Sequence, residues 1–216
     1  MTFNILSIFP NFFTSSLETS ILNRAIKQGV VKVNLVNIRD FTQDKHKTTD
    51  DRPFGGGAGM IMKIEPIDLA LQALKLTKTA KDKIILLSAR GKKFDQTKAR
   101  QLSQFDNLTL ICGHYGDVDQ RVAEHLVDEE LSVGEFVLTG GEPAALIVLD
   151  AVTRLLPGVL GNESSLEGES HDQPGQLSPP QYTRPADYHG LKVPEVFLSG
   201  DPKKIALWQQ ENDSNR

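Results

Sequence analysis

Two short apolar runs, Lys83-Ile-Ile-Leu-Leu-Ser88 and Leu108-Thr-Leu-Ile-Cys112, decide the fold class. Both have the length of a strand rather than of a helix, and neither shows the strict apolar–polar alternation of a strand with one solvated face. Continuous apolar strands are typical of parallel sheets that are covered on both faces. The two runs therefore predict buried strands in an α/β fold.

The flanking segments alternate between strand and helix patterns. We predict further strands at 3–9 and 31–38 and an extended segment at 131–138. Apolar residues at helical spacing predict helices at 10–28, 65–80, 95–104, 119–128 and 142–156. This order predicts a mostly parallel sheet with helices on both faces.

The alternation stops near the C-terminal end of the chain. Residues 157–181 contain four Pro and four Gly and show no apolar periodicity. We predict a domain over 1–160, a flexible linker over 161–181 and a short helical segment over 182–216, with one helix at 196–211.

Composition restricts the classes of protein. The 216 residues include 39% apolar and 24% charged residues, which is typical of one globular domain with a small appendage. The net charge of −4, from 24 basic and 28 acidic residues, is not that of a dedicated nucleic-acid binder. The single cysteine, Cys112, excludes an intramolecular disulfide and is expected in the core. Without an apolar span or a signal-peptide pattern, we predict a cytoplasmic protein.

The glycine-rich stretch Arg52-Pro-Phe-Gly-Gly-Gly-Ala-Gly-Met60 is the first candidate for function. Glycine-rich loops can cradle anions, but a P-loop needs Gly-Lys-Ser/Thr at its end, and here Gly59 precedes Met60. The stretch therefore does not predict a Walker-type nucleoside triphosphatase, and a flexible loop or tight turn remains the alternative.

Three glycine-bearing loops, at 87–91, 112–116 and 132–142, follow predicted strands. In open α/β sheets, ligands bind at the carboxyl ends of the strands. The loops therefore indicate a pocket lined by backbone groups, with ordinary strand–helix turns as the alternative. The five histidines lack metal-ligand spacing.

Five blocks of sequence together resemble one known family. They are Asp50–Met60, Gly113-His-Tyr115, Asp128–Glu142, Arg154–Gly161 and Gln181-Tyr-Thr-Arg-Pro185. In this order they resemble the bacterial tRNA (guanine-N1-)-methyltransferases of the TrmD type, which are SPOUT methyltransferases. The resemblance extends from about residue 3 to residue 205.

The resemblance implies a fold and a reaction. The fold is a SPOUT α/β domain with a trefoil knot in its C-terminal half. The reaction transfers a methyl group from S-adenosyl-L-methionine to N1 of guanosine 37, immediately 3′ of the tRNA anticodon. It also implies tRNA as partner, a homodimer with shared active sites and, as a candidate, Mg²⁺. Alternatives are a SPOUT enzyme acting on another RNA and a catalytically impaired protein that binds cofactor or RNA.

The resemblance also assigns site residues. Glu169 and Arg154 take the catalytic positions. The cofactor positions are Leu87, Ser88, Gly113, Tyr115, Val133, Gly134, Glu135, Phe136, Val137, Leu138, Gly140, Gly141 and Pro143. The RNA-binding positions are Arg52, Gly57, Gly59, Lys63 and Arg184.

Two positions depart from the family pattern. The family usually has Tyr-Glu-Gly where this chain has Tyr115-Gly116-Asp117, and Asp-Ser where it has Glu169-Ser170. Methylation of N1 requires loss of its proton, which a carboxylate such as Glu169 can accept. Charge then develops on O6, where a guanidinium such as that of Arg154 stabilises it.

Overall fold

The computed structural model describes residues 1–76, 79–162, 166, 168–173 and 175–213. These residues form two compact units, Met1–Gly161 and Asn162–Arg216. Residues 77 and 78 of the predicted helix, and residues 163–165, 167 and 174 of the predicted linker, lie outside the described residues. None of the helices formed by the described residues is long and apolar enough to cross a membrane.

The first unit alternates strands and helices along the chain. Its elements are β1 (Thr2–Ser7), α1 (Thr14–Leu17), α2 (Ser20–Lys27), β2 (Lys32–Asn37), β3 (Asp50–Asp51), β4 (Ile61–Met62), α3 (Ile64–Ala73), β5 (Asp82–Lys93), α4 (Gln96–Leu102), β6 (Asn107–Cys112), β7 (Asp117–Val118), α5 (Gln120–His125), β8 (Glu129–Ser132) and α6 (Glu142–Thr153). Two 3-10 helices, Pro10–Phe13 and Ile38–Phe41, connect some of them.

The central sheet has five parallel strands in the order β2-β1-β6-β5-β8. Successive strand residues point to opposite faces, and here both faces are covered. Leu110 packs in one apolar cluster and its neighbour Ile111 in the other, and both are fully buried. The prediction of an α/β fold with a mostly parallel sheet is confirmed, because double-sided burial is what makes the strands continuously apolar.

A second, three-stranded sheet connects the glycine loop to the segment that follows β6. Strand β4 pairs with β3 antiparallel and with β7 parallel, so Ile61 lies opposite Asp117. The Gly116 N–H donates to the carbonyl oxygen of Met60 at 2.9 Å. The glycine loop is therefore joined directly to the segment from 113 to 118.

Several predicted element boundaries were wrong. The extended segment at 131–138 is a strand only to Ser132, because the Ser132 hydroxyl exchanges hydrogen bonds with the Gly134 backbone and turns the chain out of the ladder. The predicted helix at 10–28 is interrupted at Thr19, whose backbone is extended. The strand predicted at 83–88 continues to Lys93.

The described residues of the second unit form one hairpin and two helices. Its elements are β9 (Asp187–Tyr188), β10 (Leu191–Lys192), α7 (Glu195–Leu198) and α8 (Pro202–Asp213). The single helix predicted at 196–211 is divided in two, because Gly200 has a left-handed φ of 67°. The rings of Tyr182, Phe197 and Trp208 pack edge to face or tilted, with centroids 4.8–6.2 Å apart.

Candidate functional site

A cavity of about 270 Å³ lies at the carboxyl ends of β6 and β8, beside an irregular part of β5. Its walls are the segment 88–90 of β5 and the loops at 113–118 and 132–141, together with neighbouring residues of β5 and β8. Because parallel strands end at the same edge of the sheet, the loops that follow them converge there. The cavity is therefore a direct consequence of the sheet topology.

The first wall arises from an irregularity in β5. The pairing of β5 with β8 shifts register between Leu87 and Lys92, so that both Leu87 and Lys92 lie opposite Leu131. Of the residues between them, Ser88, Ala89 and Arg90 line the cavity, and the Arg90 N–H donates to the Ser88 hydroxyl at 3.2 Å.

The other two walls touch backbone to backbone. The Gly141 N–H donates to the Gly113 carbonyl oxygen at 2.8 Å. A Cβ atom at Gly141 would lie 2.7 Å from the Cα of Cys112 and 3.0 Å from the Gly113 nitrogen. No side chain fits there, so a glycine at 141 is required for α6 to begin against the end of β6.

The structure brings most of the predicted cofactor positions to this cavity. Eleven of them line it: Leu87, Ser88, Gly113, Tyr115, Val133, Gly134, Phe136, Val137, Leu138, Gly140 and Gly141. Two do not belong to the lining. The Glu135 side chain is 92% exposed and lies 4.0 Å from the Lys93 ammonium, and Pro143 lies in the first turn of α6. The roles of all thirteen residues stay predictions.

The predicted RNA-binding positions lie on both units. Arg52, Gly57 and Gly59 are exposed on the glycine loop, and half-buried Lys63 precedes α3. The glycines of this loop have positive φ, for example 121° at Gly57, which favours glycine there. Arg184 is exposed on the second unit.

The predicted catalytic positions also belong to different units. Arg154 is half-buried at the C-terminal end of α6, where its N–H donates to the Asp150 carbonyl oxygen at 3.1 Å. Glu169 is half-buried in the second unit, in a turn in which the Asp172 N–H donates to its carbonyl oxygen at 3.0 Å.

Burial raises the pKa of the Cys112 thiol well above its usual range, and the negative charge of Glu142 raises it further. The thiol is fully buried at the end of β6, next to the floor of the cavity. Since only the thiolate is a strong nucleophile, Cys112 is a structural residue. This agrees with its expected place in the core.

Comparison with known proteins identifies the family. The family model of the tRNA (guanine-1)-methyltransferase TrmD matches residues 1–216. The chain belongs to the TrmD family. It is 50% identical to a tRNA (guanine-N(1)-)-methyltransferase of Carboxydothermus hydrogenoformans, over 98% of this chain and 82% of the relative. Proteins of the same name are 48% identical in Ruminiclostridium cellulolyticum (100% and 92% of the two chains) and 50% identical in Metamycoplasma arthritidis (98% and 90%).

This membership confirms the predicted family and the predicted class of enzyme, a tRNA methyltransferase. Our sequence-based assignment of cofactor positions missed two charged residues that line the cavity, Arg90 and Asp117. Arg90 and Asp117 form an ion pair of 2.8 Å at the cavity, where the TrmD pattern places a carboxylate one position earlier. The signal that could have found them was their place in the segments after the two predicted apolar strands, at 83–88 and 108–112.

We expect Cys112 to resist thiol reagents in the folded protein. Folded protein mixed with 5,5′-dithiobis(2-nitrobenzoate) at neutral pH should release almost no chromophore, because burial and the Glu142 charge disfavour the thiolate. Addition of guanidinium chloride should release one equivalent, which serves as the internal control. Fast reaction before unfolding would contradict the buried placement of this thiol.

Proposed function

We propose that the protein transfers a methyl group from S-adenosyl-L-methionine to N1 of guanosine 37 in tRNA. The observation that carries the proposal is the cavity between the segment 88–90 of β5 and the loops that follow β6 and β8. Eleven of the thirteen positions that the family resemblance assigns to the cofactor line it. Family membership over the whole chain supplies the class of reaction.

The cavity suits a cofactor held by backbone groups. Its lining combines apolar side chains such as Leu87 and Leu138 with the polar backbone of Gly113 and Gly140. Such a mixture is typical of small-molecule sites, where a few polar groups fix the orientation of a ligand. When bound there, S-adenosyl-L-methionine supplies the methyl group.

Two side chains complete the proposed chemistry. The Glu169 carboxylate accepts the proton that guanine N1 loses, and a positioned base of this kind contributes about 10²–10⁴-fold in rate. The Arg154 guanidinium stabilises the charge that develops on O6. Support for both roles comes from the family pattern. The described residues contain no group of three or more His, Cys, Asp or Glu that could hold a metal ion, and Mg²⁺ stays a candidate that rests on the family resemblance alone.

The glycine loop supports a role in RNA binding. Arg52 and the exposed glycines at 57 and 59 lie on a loop that is joined to the cavity wall through Gly116 and Met60. Backbone N–H groups and an arginine are typical phosphate contacts. We assign Lys63 and Arg184 to the same role from the family pattern, in a cytoplasmic enzyme that meets free tRNA.

A knotted backbone and a homodimer with shared sites belong to the same proposal. The knot rests on the family resemblance, which places it at the loops where the Gly141 backbone lies close to the end of β6. The apolar side chains of Phe136 and Val137 are 54% and 86% exposed, which supports a protein partner for this loop. A SPOUT fold followed by a linker and a short helical segment completes the proposed architecture.

A methyl-transfer assay on defined transcripts tests the reaction. With S-adenosyl-L-[methyl-³H]methionine, a tRNA transcript with guanosine at position 37 should become labelled, and the same transcript with adenosine at 37 should not. Nuclease digestion should release the label as N1-methylguanosine. Label on another nucleoside, or none on either transcript, would contradict the proposal.

Substitution at Gly141 tests the cofactor site without RNA. Gly141→Val should remove measurable binding of S-adenosylhomocysteine in calorimetry, because the added side chain would collide with the backbone of Cys112. Gly161→Ala is the matched control, since a Cβ atom there meets nothing within 4 Å. Equal affinity of Gly141→Val and the unaltered protein would place the cofactor elsewhere.

Substitution at Glu169 tests the proposed base. Glu169→Gln should lower the single-turnover rate about 100-fold or more at neutral pH, because an amide cannot accept the N1 proton. Raising the pH should partly restore the rate, since guanine then loses its proton unaided, and Glu169→Asp should stay active. Cofactor affinity measured by calorimetry should not change. Full activity of the Gln variant would transfer the role to another carboxylate, with Asp117, Asp172 and Glu167, which lies outside the described residues, as candidates.

A further inference from the structure

Three polar side chains from distant parts of the sequence meet behind the cavity. Ser7 ends β1, Glu142 begins α6, and His114 lies in the loop after β6. His114 also lines the cavity, whereas the other two side chains are buried beside it. The family assignment uses none of the three.

Glu142 is a fixed carboxylate. Only 3% of the residue is exposed, and the Ser7 hydroxyl donates to its Oε1 at 2.6 Å. Its place in the first turn of α6 is favourable for negative charge, because the N-terminal N–H groups of a helix carry partial positive charge. Its second oxygen, Oε2, faces His114.

The His114 ring presents one nitrogen to that oxygen. Nδ1 lies 3.7 Å from Glu142 Oε2, slightly beyond a hydrogen bond. Nδ1 is buried and has no hydrogen-bond partner among the described residues. A buried polar atom without a partner is costly, and a small rotation of the ring would give it one.

The glycine at position 140 leaves room for the approach of His114 to Glu142. A Cβ atom on Gly140 would overlap both His114 Nδ1 and Glu142 Oε2. Gly140 also forms an isolated antiparallel bridge with His114. The space that a side chain at 140 would fill is therefore occupied by the imidazole and the carboxylate.

The ring is also held from its sides. The rings of Phe9 and Tyr115 pack edge to face against His114, with centroids 5.0 and 5.2 Å away. Arg39 donates to the Tyr115 hydroxyl at 3.2 Å, and Tyr115 has a left-handed φ of 62°. These contacts restrict where the imidazole can point.

We propose that His114 is a positioning residue that sets the width of the cofactor pocket by donating a hydrogen bond from Nδ1 to Glu142. The donated bond holds the loop at 113–118 against the loop at 139–141, and the two loops form neighbouring walls of the cavity. The role rests on the proposed function, because it concerns the affinity of that pocket for S-adenosyl-L-methionine.

Two substitutions of His114 distinguish the role of its ring nitrogen Nδ1 from that of Nε2. The amide nitrogen of asparagine can take the position of Nδ1, and that of glutamine the position of Nε2. We therefore expect His114→Asn to bind S-adenosylhomocysteine within about threefold of the unaltered protein. His114→Gln should bind about 10- to 100-fold more weakly, as expected for loss of a hydrogen bond to a charged group. His125→Gln, at a side chain that is 68% exposed, is the matched control.

Kinetic measurements should distinguish an effect on cofactor affinity from an effect on the methyl-transfer step. At saturating S-adenosyl-L-methionine, the single-turnover rate of His114→Gln should recover to near that of the unaltered enzyme, because a positioning residue acts on affinity and not on the methyl-transfer step. A lasting loss of rate at saturation would overturn the positioning role. Equal affinities of the Asn and Gln variants would also overturn it.

Nitrogen NMR tests the contact without any ligand. In protein labelled with ¹⁵N-histidine, the signals lost in His114→Asn identify His114, and its Nδ1 should carry hydrogen. A bare Nδ1 would overturn the proposal even if the cofactor binds. Failure of the unaltered protein to bind S-adenosylhomocysteine would instead overturn the proposed function, and the NMR result would still show whether Nδ1 carries the hydrogen that a bond to Glu142 requires.

Discussion

The rest of the site depends on the backbone contact between Gly141 and the end of β6. The Gly141 N–H reaches the Gly113 carbonyl oxygen at 2.8 Å, and the gap to Cys112 admits no side chain. This contact brings the loop after β8 over the loop after β6 and starts α6 beside them. Without it, the loops would not share one cavity, and Glu142 would not lie beside His114.

The sheet supplies the rigid base for this contact. All five strands are parallel, and the central strands β1 and β6 are buried along nearly their whole length. Buried polar side chains inside the sheet pair with each other, as Asn4 does with Thr109, whereas the cavity forms where the backbone leaves the strand ladders. The residues that line the cavity therefore come from chain segments far apart in sequence, as do the three side chains around Gly140.

The carboxylate that the family pattern has at position 116 lies one position later in this chain, at Asp117. Gly116 itself fits closely, since a Cβ atom there would lie 3.0 Å from the Met60 carbonyl oxygen. Asp117, one position later, pairs with Arg90 at 2.8 Å, and both side chains stay partly exposed. An exposed ion pair contributes only about 0–1 kcal/mol, so these two charges can rearrange at small cost when a ligand enters. Within the proposed function, Glu169 is the base, because it occupies the position of the family's catalytic carboxylate.

The sequence by itself determined the fold class, the strand order along the chain and the family, because these depend on local apolar runs and on blocks of residues in order. The runs at 83–88 and 108–112 predicted buried parallel strands, and the strand-end loops predicted most of the cavity lining. Only the tertiary structure decided that β5 continues to Lys93, that the segment after Ser132 leaves the sheet, and that Arg90 meets Asp117. It alone brought His114 to Glu142 and Ser7, since periodicity describes which face a residue occupies but not which distant residue it meets there.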